Sequence, residues 1–191
     1  VRHRRSDVVQ AALRVLDAHG LGDLSMRRLA AELEVRPSAL YHHVASKQEL
    51  LAAVAAEVVA RGRTPVAAGG WDERVRDECR VLRDAMLAWR DGAELVATVH
   101  AYGLGPHEPG ERLRAALVDA GLDEAGARVA ARTLLHFVFG HVLDEQTHLQ
   151  AASAGAIGDE VDADQGADGR SFEQGLDLVL AGVRVHVTAR R

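Results

Sequence analysis

Ser25-Met26-Arg27-Arg28-Leu29-Ala30-Ala31-Glu32-Leu33-Glu34-Val35-Arg36-Pro37-Ser38-Ala39-Leu40-Tyr41-His42-His43-Val44-Ala45-Ser46-Lys47-Gln48-Glu49-Leu50-Leu51 decides how this chain is organised. Ser25 is an N-cap residue, and Leu29, Ala30 and Leu33 follow at helical spacing. Glu34-Val35-Arg36-Pro37 then makes a tight turn. Pro37 suits the first position of the next helix, where its missing N–H would be unpaired in any case. That helix is expected to run through Ser38–Val44, with Leu40 and Val44 facing inward at i and i+4 and residues 38, 39, 42 and 43 left outside. Ser46-Lys47-Gln48-Glu49 has the Ser-x-x-Glu pattern of a capping box and opens a further helix with Leu50, Leu51, Val54, Val58 and Val59 inside.

Upstream, Ser6 is the expected cap of a first helix carrying Val8, Val9, Ala12, Leu13, Val15 and Leu16, closed by Gly20. Two short helices joined by a tight turn and braced by a first helix form a helix-turn-helix unit. Its second helix is the one that enters a DNA major groove, with its N-terminal residues at base edges. The expected DNA contacts are therefore Arg36, Pro37, Ser38, Ala39, Tyr41, His42 and His43. Lys47, the only lysine in the chain, sits where its ammonium and a helix N-terminus can hold one phosphate. Ser25, Arg27 and Arg28 open the preceding helix and can reach the groove or the backbone.

Downstream, Gly62-Arg63-Thr64-Pro65-Val66-Ala67-Ala68-Gly69-Gly70 is the clearest linker. Asp72 is expected to cap a helix with the stripe Val75, Cys79, Leu82, Met86 and Trp89, broken by Arg90-Asp91-Gly92. A short helix, a Gly103–Pro106 loop and a helix over 109–120 follow. A long helix runs from Asp123 to about Gln150. Residues 151–170 read as a loop, and Ser171-Phe172-Glu173-Gln174 as a second capping box opening the last helix. No segment alternates with the period of a strand. The fold class is all-α: an N-terminal three-helix domain over 1–47 and a helical domain over 48–191.

Charge and cysteine content narrow the function. The net charge is −5, but residues 1–63 carry ten Arg/Lys against seven Asp/Glu, and the remainder thirteen against twenty-one. A basic third on an acidic remainder suits one module that meets phosphate and one that does not. The lone Cys79 excludes an internal disulfide and a thiolate metal cluster, and its place on an apolar stripe makes it a small buried hydrophobe. Neither a signal sequence nor an 18-residue apolar run is found, so no membrane span is expected and a cytoplasmic location is. No Gly-rich phosphate loop, Ser-His-Asp set or carboxylate pair stands out, so no enzyme and no catalytic residue is expected.

The Leu-Tyr-x-His-Val run at 40–44 with Lys47 and Leu50-Leu51 behind it resembles the signature of the tetracycline-repressor (TetR) family. Trp71-Asp72, Arg90-Asp91-Gly92-Ala93 and His136-Phe137 with Gly140, Val142–Gln146 and His148 are similar to the core of the tetracycline repressor's own subgroup. The resemblance implies a regulator, most often a repressor, that binds a palindromic double-stranded operator as a homodimer. It places the dimer in segments 124–150 and 171–188, whose apolar faces exceed what one subunit buries. It also implies release by a small-molecule effector, with no required cofactor. Carried over residue by residue and counted without a gap from Arg90-Asp91-Gly92-Ala93, the family's magnesium-ligating His falls on Val96, with His100 four residues on where a small gap would partly restore it; its drug-contacting His falls on Arg63, and two further contacts on Glu78 and Leu82. Only an acid is kept in kind, as Asp144. The frame is retained and the tetracycline–magnesium ligands are not.

Met86, Trp89, His100, Tyr102, His136, Phe137 and His141 complete a candidate effector pocket with Glu78, Leu82 and Asp144: a few polar atoms among apolar walls suit an organic ligand, though each could equally be ordinary core. His141, Asp144, Glu145 and His148 share a helix face with donor types a transition metal accepts, but a polar patch has the same pattern and no metal site is assigned.

Overall fold

The computed structural model describes residues 3–62, 69–156 and 168–188. Among them are nine helices and no strand: α1 (Arg5–His19), α2 (Met26–Glu32), α3 (Pro37–Leu40), α4 (Lys47–Arg61), α5 (Trp71–Leu87), α6 (Gly92–Ala101), α7 (Glu108–Asp119), α8 (Glu124–Ser153) and α9 (Gly169–Thr188). None is long and apolar enough to cross a membrane. Residues 63–68 and 157–167, most of the expected linker and of the expected loop, lie outside the described residues, as does Arg63.

The chain divides into two compact units that are not contiguous in sequence: 1–63 with 84–106, and 64–83 with 107–191. The cut expected at 47/48 does not coincide with this division. α4 stays with α1 because its apolar face, Leu50, Val54, Ala55 and Val58, is fully buried within that unit, where α4 packs on both α1 and α6.

In the first unit, α1 starts earlier than the Ser6 cap implied. Arg4 is the cap residue, and its N–H donates to Asp7 Oδ2 at 2.7 Å. Gly20 ends the helix with φ 81°, donating its N–H to Leu16 O. α2 closes through a paired C-terminal turn, Val35 N–H to Ala30 O at 2.9 Å and Glu34 N–H to Ala31 O at 3.2 Å. The left-handed residue of that turn is Glu34 (φ 54°), where glycine is usual. α3 has only four residues. The rest of the expected helix is a turn in which Leu40 O accepts from both the His43 and Val44 N–H groups.

In the second unit, α5 begins at Trp71, with Glu73 Oε2 accepting the Gly70 N–H. Asp72 is therefore not its cap; it is ion-paired to Arg76 and Arg184. Asp123 caps α8 as expected, accepting the Gly126 N–H at 2.8 Å. α8 continues through Ser153, three residues into the expected loop. α9 opens two residues before Ser171, because the box is formed by Asp168 and Ser171: each accepts the other's N–H, at 2.7 and 2.9 Å. The Asp168 carboxyl is held below its usual range chiefly by that Ser171 N–H.

Candidate nucleic-acid interface and effector-binding residues

The recognition segment is fixed from below by Leu40 and Val44, each 1% exposed. These anchors turn Arg36, Pro37, Ser38, Tyr41 and His42 to solvent and leave Ala39 and His43 half-buried. Tyr41 is 52% exposed, a large aromatic surface left open to solvent. Lys47, the first residue of α4, is exposed beside it in sequence, and the turn there is well built. Ser46 Oγ accepts the Glu49 N–H at 3.1 Å, and Glu49 Oε2 reaches back one residue further than a standard box to accept the Ala45 N–H at 2.6 Å. Glu49 Oε1 also accepts from Arg5 Nη2 at 3.2 Å, tying the start of α4 to the start of α1.

Ser25 performs the capping expected of it, its Oγ accepting the Arg28 N–H at 3.2 Å. Arg28 lies 3.8 Å from Asp23 Oδ2, while Arg27 is exposed. Charge pairing separates these groups from their neighbours. Arg5, Arg14, Arg28 and Arg61 all have carboxylates within ion-pair distance. Among the described residues Arg27, Arg36 and Lys47 have none. These three uncompensated cations, on the same helix-turn-helix as exposed Tyr41 and His42, are chemically suited to phosphate and base-edge acceptors.

The reader is also attached to the α5–α6 corner. Asp91, itself left-handed at φ 53°, accepts the Leu21 N–H on Oδ2 at 2.7 Å, and Arg90 Nη1 donates to Ala18 O at 3.3 Å. A Cβ on Gly20 would stand 2.5 Å from Asp91 Oδ2, and one on Gly92 would stand 2.3 Å from Met86 O. Both glycines are required by these close approaches. The sequence pointed to Asp91 as part of a helix break and of the subgroup-like Arg90-Asp91-Gly92-Ala93 run, not as a clasp on the loop after α1.

The ten candidate effector residues divide between the units. In the first unit, Met86 is fully buried, and Trp89 lies under the Arg61 guanidinium, 5.4 Å from its carbon to the ring centroid. His100 is half-buried against Gly105, whereas Tyr102 is 60% exposed. Val96, where the ungapped count from Arg90 puts the family's metal-ligating position, is 1% exposed and has no donor atom.

In the second unit, Leu82 is core and Glu78 is a buried carboxylate gripped at both oxygens by Arg112, at 2.6 and 2.8 Å. Phe137 stacks on Phe172 with centroids 5.4 Å apart, and His141 stands edge-on to Phe172 at 5.3 Å. A Cβ on Gly175 would meet Phe137 at 2.6 Å, so this aromatic group is closely packed. His136 and Asp144 are exposed. The four-residue His/Asp/Glu row does not converge: His141 Nε2 meets Asp168 O at 3.0 Å, and the buried Glu145 is gripped by Arg83 at both oxygens. No group of three or more such side chains is placed to hold a metal ion among the described residues.

Arg112, Arg83 and Phe172 were not singled out by sequence. Sequence named Glu78 only as a pocket contact; which arginine pairs with it depends on packing. Burial, with Glu78 alongside, pushes the Cys79 thiol up to about 12, which keeps it protonated and unreactive.

The sequence model "Bacterial regulatory proteins, tetR family" matches residues 8–54, and "Tetracyclin repressor-like, C-terminal domain" matches residues 64–170. The class D tetracycline repressor protein of Escherichia coli is 31% identical, over 98% of this chain and 92% of its own. The crystal structure of Mycobacterium smegmatis BioQ is 44% identical with a TM-score of 0.89, covering 97% of this chain and 99% of that one. BioQ with its natural double-stranded DNA operator is 40% identical with a TM-score of 0.81, covering 97% and 100%. The helix-turn-helix, the all-helical frame and these likenesses agree: the chain belongs to the tetracycline-repressor (TetR) family and is a sequence-specific DNA-binding transcriptional regulator.

Proposed function

We propose that this protein is an effector-released repressor, not an enzyme, that acts in the cytoplasm as a homodimer on a palindromic operator. Residues 1–47 serve as the reader and 48–191 as the effector-binding and dimerisation region. The single observation that carries the reading is the group of uncompensated cations, Arg27, Arg36 and Lys47, on the same helix-turn-helix as exposed Tyr41 and His42. Arg36, Ser38 and His42 read base edges. Tyr41, Lys47 and Arg27 hold phosphates, with Ser25, Arg28, Pro37, Ala39 and His43 shaping the contact surface. Two such readers meet half-sites roughly 34 Å apart, one turn of DNA.

Dimerisation through α8 and α9 is supported by large apolar side chains left open there: Val129 is 69% exposed, Leu178 76% and Val185 65%. The effector is a small organic molecule held by residues from the set Glu78, Leu82, Met86, Trp89, His100, Tyr102, His136, Phe137, His141 and Asp144. Tetracycline–magnesium is not the effector this reading favours, since the position that matches the family's magnesium-ligating histidine without a gap is Val96, which cannot ligate a hard cation.

Fluorescence-anisotropy titration with duplexes from a randomised selection, at two salt concentrations, tests the reading. A selected palindrome and an affinity that falls steeply with salt are expected. Weak binding that ignores both sequence and salt would overturn it.

A further inference from the structure

We infer that Arg4, which opens α1, holds an operator phosphate of its own next to the one held by Lys47. The inference rests on the docking face proposed above and extends it to a helix outside the helix-turn-helix. Arg4 is exposed, and among the described residues no carboxylate lies within ion-pair distance of its guanidinium. Its neighbours on α1 differ: Arg5 pairs with Glu49 at 3.2 Å and Arg14 with Glu32 at 3.4 Å. Asp7, the nearest acid in sequence, uses Oδ2 to accept the Arg4 N–H at 2.7 Å. The guanidinium keeps its planar fork of donors, a shape that matches phosphate.

Contacts between α1 and α4 decide where that guanidinium stands. Arg5 Nη2 donates to Glu49 Oε1 near the start of α4. Farther along both helices, Gln10 Nε2 donates to Glu57 Oε1 at 3.1 Å, and Arg61 Nη2 donates to Gln10 Oε1. Contacts that advance together along two helices mean that the helices run in the same direction. The first residues of α1 and α4 therefore lie at one end of the reader, and Lys47 is the first residue of α4. Glu49 Oε2 also accepts the Ala45 N–H at 2.6 Å, so one carboxylate joins the start of α1 to the end of the recognition turn.

Spacing separates the two contacts. Packed helices lie roughly 8–10 Å apart, axis to axis. Successive phosphates of one strand advance only about 3.4 Å along the duplex axis. A cation one helix away from Lys47 thus meets a neighbouring phosphate instead of sharing the first. Such a contact carries no base information; it fixes how the reader sits on the duplex and strengthens binding to every sequence alike.

The test uses the full chain and the duplex preferred in a randomised selection, with each phosphate in turn replaced by an uncharged methylphosphonate. The parent protein is expected to lose affinity at one phosphate that Lys47→Ala no longer senses, and at a neighbouring one that Arg4→Ala no longer senses. Arg4→Ala is expected to weaken binding about five- to tenfold and to lower the salt slope by about one. The loss is expected to be similar on selected and random duplexes, with the melting temperature unchanged. Arg4→Lys is expected to restore most of the slope. Arg14→Ala, which removes a paired cation of the same helix, serves as the control and is expected to keep the parent's slope. If Arg4→Ala keeps the parent's slope and phosphate map, or loses no more than Arg14→Ala, the inference falls and the Tyr41–Lys47 reading stands. Loss of the same phosphate by Arg4→Ala and Lys47→Ala also overturns a separate contact. If Tyr41→Ala and Lys47→Ala bind normally as well, the docking face itself is wrong.

Discussion

The recognition turn and the helix seams of the second unit use their cations differently. Around the recognition turn, Arg27, Arg36 and Lys47 extend into solvent without a carboxylate. In the second unit Arg76, Arg80, Arg83, Arg112, Arg114 and Arg184 are each ion-paired. A cation kept unpaired costs little on the surface and remains available to phosphate. A cation paired under a helix is committed to the fold, and removing its partner leaves a buried charge. Mutation of the first group is expected to change binding without changing stability, and mutation of the second to do the reverse.

The sharpest test of that contrast is Arg112→Ala. It strands Glu78, 7% exposed, without its two hydrogen bonds, and is expected to cost about 3 kcal/mol in chemical denaturation. The double variant Arg112→Met with Glu78→Leu is expected to recover most of that loss. If the single variant is as stable as the parent, the pair is not structural and Arg112 belongs with the binding cations.

Next in size, Tyr41→Ala and Lys47→Ala are each expected to weaken operator binding about tenfold, roughly 1.4 kcal/mol, with melting temperature unchanged. Lys47→Ala is also expected to lower the salt slope of binding by about one counterion. Normal binding by both variants would show that DNA docks elsewhere.

Asp91→Ala removes the acceptor of the Leu21 N–H and is expected to destabilise by about 1–2 kcal/mol. Because this contact joins the α5–α6 corner to the loop after α1, the effector concentration needed for release is expected to shift with it. A variant that only lowers stability would leave the corner a structural clasp. Glu34→Gly relieves a left-handed non-glycine residue and is expected to stabilise by up to about 1 kcal/mol, read as a raised melting temperature.

The smallest effect concerns acid. Glu173 is held below its ordinary value of 4.5 chiefly by the hydrogen bond from Arg80. A depressed folded-state pKa stabilises above the unfolded value and loses that contribution as pH falls through the folded one. The pair is more than one-third exposed, so the contribution is small. Arg80→Ala is expected to lower stability slightly above about pH 4.5 and to flatten the acid limb of the profile below it.

Much of the reader was legible because its information is local. Ser25, Pro37 and Ser46 act within a few residues, and Leu40 and Val44 face inward as their spacing requires. The misplaced boundaries have local competitors: Asp7 draws the start of α1 back to Arg4, and Asp168 rather than Gln174 answers Ser171. The recognition helix stopped at Leu40 because the next residues close a tighter turn on its carbonyl, a choice that helical periodicity does not report.

The sensing half was less legible. The sequence alone determined its family and its all-helical frame, since both follow from residue identity and helical spacing. Tertiary structure decided which charges are spent. Glu78 finds Arg112 34 residues away, Glu145 finds Arg83 62 away and Glu173 finds Arg80 93 away. No spacing rule reaches that far, because the packing of helices, not the chain between them, sets those distances. The recognition turn differs for the same reason: its function lies in groups the fold leaves unpaired, and the sequence already places those groups on the outside.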